Sequence, residues 1–186
     1  MRKPRWRAHH DDSDTARHDA LPSWVPRQGW KRRELVIWGA HGGAGTSTLA
    51  TWLQPAWDMG ARRPEPDPPY PANVATGRAL VITCRTAAWS AQQATKAVQT
   101  VIEQGGQVDV LAVVSDGWPE PTAAASRFRL LEPQVGAVIR IPFIPALRLA
   151  DDPAAVPLPR AACRALARIE ATAKRTFPLP PNPLDT

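Results

Sequence analysis

The sequence predicts an α/β domain built on a reduced parallel sheet of about four strands with flanking helices. Three observations carry this expectation. Short apolar runs with strand character recur along the chain, helical spacing follows each of them, and glycine or proline punctuates the joins. Glu34-Leu35-Val36-Ile37-Trp38 is such a run, closed by a glycine-rich stretch. Beyond the glycines, Leu49, Trp52 and Leu53 fall at i, i+3 and i+4, predicting a helix that Pro55 stops. Residues 55–77 then read as a proline-rich connector within the domain, without a periodic signal from Arg62 to Gly77.

The second strand is Ala79 to Cys84. Its helix runs from about Ala87 to Gln104, with Ala91, Ala94, Val98 and Val101 on one face, and Gly105-Gly106 ends it. Val108 to Val114 is the third strand, and Pro121 opens a short helix through Leu131. Val138 to Ile141 is the fourth. The last helix spans about Arg160 to Phe177, with Ala162, Leu166, Ile169 and Ala173 on its inner side. Strands that alternate with helices pair in parallel through right-handed crossovers.

The chain divides into a basic, tryptophan-containing N-terminal tail (1–32), the α/β domain (33–177) and a proline-rich C-terminal tail (178–186). Its 186 residues suit one domain with tails, and 44% apolar residues suffice for a core, while 21 prolines must sit mostly outside regular elements. The formal charge is +6, of which residues 1–33 supply +5, so a basic tail adjoins a nearly neutral body. Such a tail suits nucleic acid or an acidic partner, or is simply solvated. Two cysteines give neither a disulfide framework nor metal-ligand spacing. No run approaches the roughly 20 apolar residues of a membrane helix, and no apolar stretch follows the first charged residues. The expectation is a cytoplasmic protein without a membrane span.

The motif that carries chemistry is Gly39-Ala40-His41-Gly42-Gly43-Ala44-Gly45-Thr46-Ser47-Thr48, between the first strand and the first helix. A phosphate loop needs glycines there, so that backbone N–H groups converge on an anion, then a lysine and a hydroxyl for Mg²⁺. Glycines and hydroxyls are present. Gly42, Gly43, Ala44, Gly45, Thr46, Ser47 and Thr48 are the candidate nucleotide- and phosphate-binding residues, with Ser47 as the Mg²⁺ ligand. The lysine is replaced by Thr46.

This loop resembles that of the MinD/ParA superfamily, K-G-G-x-G-K-[ST]-[ST], at Gly42, Gly43, Gly45, Ser47 and Thr48. His41 stands at the family's signature lysine and Thr46 at its second. The chain is also similar to an uncharacterised family from plasmids and integrative conjugative elements of high-GC bacteria. That likeness lies in the loop, in Arg85-Thr86 and Ser115-Asp116 at strand ends, and in the segment Ile141 to Leu149, covering about residues 34 to 150. The resemblance implies a P-loop NTPase-like fold binding ATP with Mg²⁺. The superfamily's two further aspartates, one of them on the Walker B strand, find no match, and the strands that carry them fall in the connector. A bond to a charged group contributes roughly 1.5–3 kcal/mol, so one missing lysine weakens binding about ten- to 150-fold. Weak nucleotide binding without hydrolysis follows, in an accessory protein of a plasmid or conjugative-element system. The alternatives are an active NTPase that uses Arg85 in place of the lysine, and a nucleic-acid-binding accessory protein.

Three accessory residues each carry two readings. Arg85 supplies the missing charge or caps a strand end. Asp116 binds ribose, base or Mg²⁺, or forms a turn before Gly117. His41 contacts phosphate when protonated, or hydrogen-bonds within the loop. Arg160, Arg164 and Arg168 form a basic stripe, a solvated face or a nucleic-acid contact. Trp38, Trp52 and Trp57 are expected around the loop helix, and Trp6, Trp24 and Trp30 in the tail imply docking. Four strands in sequential order put three helices on one face of the sheet. The other face then calls for the last helix together with the tail, a homodimer or a protein partner.

Overall fold

A computed structural model of the chain describes residues 35–61 and 78–176. Both tails, the connector from 62 to 77 and Trp6, Trp24 and Trp30 lie outside the described residues. The elements are β1 (Leu35–Gly39), α1 (Thr46–Trp52), β2 (Ala56–Ala61), β3 (Ala79–Arg85), α2 (Ala88–Glu103), β4 (Val108–Val114), α3 (Thr122–Leu131), β5 (Val135–Ile141) and α4 (Arg160–Thr176). The α/β class holds, but the sheet has five parallel strands in the order β2-β1-β3-β4-β5.

The additional strand corrects the reading of 55–77 as connector throughout. Residues 56–61 pair in parallel with β1, Leu35 opposite Ala56 and Ile37 opposite Asp58. As an edge strand it buries little, so it needs no apolar run. Its Asp58 and Gly60 suit a position where one side of the ladder is free.

That strand also moves a helix. From β1 the chain travels through α1 to β2 on one side, whereas β3, β4 and β5 proceed on the other. Right-handed crossovers in opposite directions place their helices on opposite faces. Leu49, Ala50 and Leu53 of the α1 segment accordingly share a core with Ala165, Leu166, Ile169 and Ala173 of α4. Leu35, Ile37, Val81, Val110, Ala112, Ile139 and Ile141 form its floor. The alternating residues Val36, Leu80, Ile82, Leu111 and Val113 point to the other face and are also fully buried. Here α2 and α3 pack on each other and on β3, β4 and β5. They bring Ala91, Ala94, Val98, Val101 and Phe128, each 0% exposed. Burying a side chain such as Phe128 contributes about 1.5–3 kcal/mol.

The expectation of three intervening helices on one face is therefore overturned, because α1 shares a face of the sheet with α4. The tryptophan grouping changes too. Trp52 packs beside α1's core and its Nε1–H donates to Pro153 O at 3.1 Å, whereas Trp38 faces away from α1.

Candidate functional site

The reversal of chain direction falls between β1 and β3, whose following helices diverge to opposite faces. In open α/β sheets such a point leaves a crevice beyond the carboxyl ends of the strands. The loop of residues 40–45 leaves β1 there and Arg85 ends β3 there, joined by Ala40 N–H donating to Thr83 O at 2.8 Å. The glycine motif and Arg85 are thus brought together by the fold.

Gly43 (φ 74°) and Gly45 (φ 93°) take the left-handed backbone that glycine adopts without steric cost. Between them the chain turns through Ala44 N–H donating to His41 O at 3.3 Å, and Leu49 N–H reaches Gly45 O at 2.9 Å as α1 begins. A Cβ at Gly42 or Gly43 would meet nothing within 4 Å, so the outer side of the loop is open. Ala44 is buried, Ser47 exposed and Thr48 half-buried.

Thr46, at the lysine position, turns inward. It is 7% exposed, and its Oγ1 lies 3.2 Å from Thr83 Oγ1 in a buried hydroxyl pair. Gly39 makes room for it, since a Cβ there would stand 2.5 Å from Thr46 Oγ1. The side chain that replaces lysine therefore ties α1 to β3 and does not face the crevice. Ser47, by contrast, is exposed, and its own carbonyl accepts from Thr51 Oγ1 at 2.9 Å. No group of three or more His, Cys, Asp or Glu able to hold a metal occurs among the described residues.

Arg85 crosses from β3 to the loop. Its Nε–H donates to Gly43 O at 2.9 Å and its Nη1 to Ser115 O at 3.4 Å. Both partners are carbonyls, so the guanidinium fastens the glycine-rich loop to the end of β4, and Nη2 has no partner among the described residues. His41 follows the second of its two readings. It is buried, and its Nδ1 meets Gly42 O at 2.8 Å, while Nε2 meets Arg85 N–H at 3.4 Å. A carbonyl only accepts and an amide N–H only donates, so in these contacts Nδ1 is the donor and Nε2 the acceptor. Nδ1 is engaged within the loop and Nε2 at the end of β3.

Asp116 likewise closes a turn. Oδ1 accepts from Trp118 N–H at 3.1 Å, and its carbonyl accepts from Arg148 Nη2 at 3.3 Å. The Arg148 guanidinium lies 4.8 Å from the Phe143 ring centroid. The Gly117 turn (φ 94°) is packed so tightly that a Cβ would come within 3.1 Å of Phe143.

Sequence reasoning did not single out Trp89 beside the loop, nor Asp58, Glu120 and Arg140 elsewhere in the domain. Trp89, 58% exposed, tilts against His41 with centroids 5.0 Å apart, and its position after Arg85-Thr86 was the available signal. Asp58 is a carboxylate on the strand paired with the loop strand, where it accepts from Gly60 N–H at 2.8 Å. Glu120 and Arg140 form a bidentate pair at 2.8 and 2.9 Å. That hydrogen bonding to Arg140 holds the Glu120 carboxyl below its ordinary range. Burial first, and then the charge of Glu120, push the Cys84 thiol up to about 12.

No family model matches this sequence, and no curated protein matches it. No helix among the described residues is long and apolar enough to cross a membrane.

Proposed function

We propose that this is a phosphate-loop protein of MinD/ParA-like type that binds nucleotide weakly and does not turn it over. It would serve as an accessory protein of a plasmid or conjugative-element system. One observation carries this reading: the side chain at the lysine position is buried against Thr83 at 3.2 Å, leaving the backbone as the loop's main means of holding phosphate. Left-handed glycines, an open outer side and an exposed Ser47 fit an anion with Mg²⁺. Hydrolysis also requires charge on the transferred phosphoryl group and a positioned water. Arg85, the substitute for lysine in the rival reading of an active NTPase, has Nε and Nη1 engaged on carbonyl oxygens.

The test is a calorimetric titration with Mg²⁺-ATP beside a turnover assay. The expected result is a dissociation constant between about 10⁻⁴ and 10⁻³ M with no phosphate release, the range left when a micromolar site loses its lysine bonds. Turnover near one per second that disappears in Gly45→Asp would overturn the reading.

A further inference from the structure

The outer face of α4 carries a ridge of arginines that the phosphate-loop reading does not use. Arg160, Arg164, Arg168 and Arg175 are all exposed. At 3.6 residues per turn they fall within an arc of about 80°, and at 1.5 Å per residue they extend along about 22 Å of helix. The stripe read from sequence thus gains a fourth member in the last turn. Ala162, Ala165, Leu166, Ile169 and Ala173 are buried on the other side, so the sheet holds the ridge rigidly outward.

None of the four arginines is ion-paired among the described residues, and Arg175 Nη2 donates to Thr172 Oγ1 at 3.2 Å. The single carboxylate on α4, Glu170, lies 4.0 Å from Lys174 Nζ, which offsets its charge locally. Besides Glu170 and Lys174, the exposed residues between the arginines are Ala161, Cys163, Ala167 and Ala171, small enough to let a flat or ridged surface approach the helix.

We propose that this face of α4 binds the phosphate backbone of double-stranded DNA. Guanidinium groups engage phosphate oxygens in bidentate fashion, and four of them in one row complement a polyanion with one charge per about 1.7 Å of axis. Among the described residues the large exposed apolar side chains are Trp89, Ile102, Trp118, Leu130 and Leu149, none of them on α4, so this face has nothing to insert into a lipid surface. The B-form major groove, about 12 Å wide, admits a helix, whereas the deep A-form groove of RNA does not. Contact is to backbone, so the binding is indifferent to base sequence.

The experiment uses the full chain and a fluorescent DNA duplex of mixed sequence, with anisotropy followed from 50 to 200 mM salt. Each phosphate contact adds about −0.9 to the slope of log K against log salt. Replacing Arg160, Arg164, Arg168 and Arg175 together by glutamine should therefore make the slope shallower by about 3.6. The salt-induced loss of affinity should shrink by about 10²-fold, with the circular dichroism spectrum unchanged. Any contribution from the basic residues before position 34 is common to both proteins and cancels in the difference. The proposal is overturned if the glutamine protein binds DNA with the parent's slope, or if the parent does not bind. It is overturned equally if duplex RNA or anionic phosphatidylserine vesicles bind as tightly as DNA and lose affinity in the same variant. Nucleotide is absent throughout, so the result does not depend on the phosphate loop.

Discussion

Thr46 and Thr83 face each other across the join of α1 and β3, hydroxyl to hydroxyl at 3.2 Å, with Thr83 0% and Thr46 7% exposed. Each supplies the other's buried partner. Thr46→Val should lower stability by about 1–3 kcal/mol, because it leaves a buried hydroxyl without its bond. Urea midpoints measure this. The double change Thr46→Val with Thr83→Val should cost less than the sum of the two single changes, and strict additivity would mean that the hydroxyls do not interact.

Gly39 and Gly42 lie three residues apart in sequence but have opposite tolerance. A Cβ at Gly39 would meet Thr46 Oγ1 at 2.5 Å and two backbone oxygens, His41 O and Gly60 O, at 3.2 and 3.3 Å. Gly39→Ala should destabilise by about 1–3 kcal/mol, the range for overpacking. Gly42→Ala meets nothing and should stay within about 0.5 kcal/mol of the parent. Thermal melts of the two proteins side by side check the contrast.

Acid should act partly through Glu120. Its bond with Arg140 sets the carboxyl below its ordinary value of 4.5, so the folded state binds this proton less readily than the unfolded chain. The stabilisation is complete above pH about 4.5 and is lost as pH falls through the lower folded value. Glu120→Gln should therefore flatten the decline of unfolding free energy below that pH and lose stability chiefly above it. An unchanged acid slope would show that other carboxyls dominate.

The two cysteines should report burial chemically. Cys84 is 0% exposed with its thiol pushed up to about 12, whereas Cys163 is exposed and lies 3.7 Å from Leu158 O. Thiolate is the reactive form. Iodoacetamide at pH 8 should add one group to the native protein, at Cys163, and two after denaturation, as read by intact mass. Native labelling of Cys84 at a similar rate would contradict its placement in the core.

The buried strands were legible because parallel strands covered on both faces are apolar throughout. Residues 79–84 and 108–114 read as strands and are strands. The start of β5 was not legible: Gly136 interrupts the run, and the reason for glycine is the approach of Asp109 O, 2.5 Å from where a Cβ would be. Nor was β2, an edge strand partly exposed along its length, whose alternation of Trp57, Met59 and Ala61 with Asp58 and Gly60 is short and lies beside a proline-rich stretch. Missing it also reversed the face assigned to α1. At the site, the loop's glycines and its missing lysine were visible in the residues alone. That Thr46 points inward, and that Arg85 grips carbonyls of two loops, depends on which strand ends become neighbours, and no local pattern encodes that.

The brevity of α1 has a consequence for how the molecule opens. Seven residues make a helix too short to persist alone, since isolated helices below about 12–15 residues are marginal in water. It holds its shape because Leu49, Ala50 and Leu53 are locked into the same core as α4 and the sheet. The amide protons of Leu49 and Leu53, donated to Gly45 O and Leu49 O at 2.9 and 3.0 Å, can then exchange with solvent only when that core parts. The start of α1 should therefore open together with that core and not ahead of it.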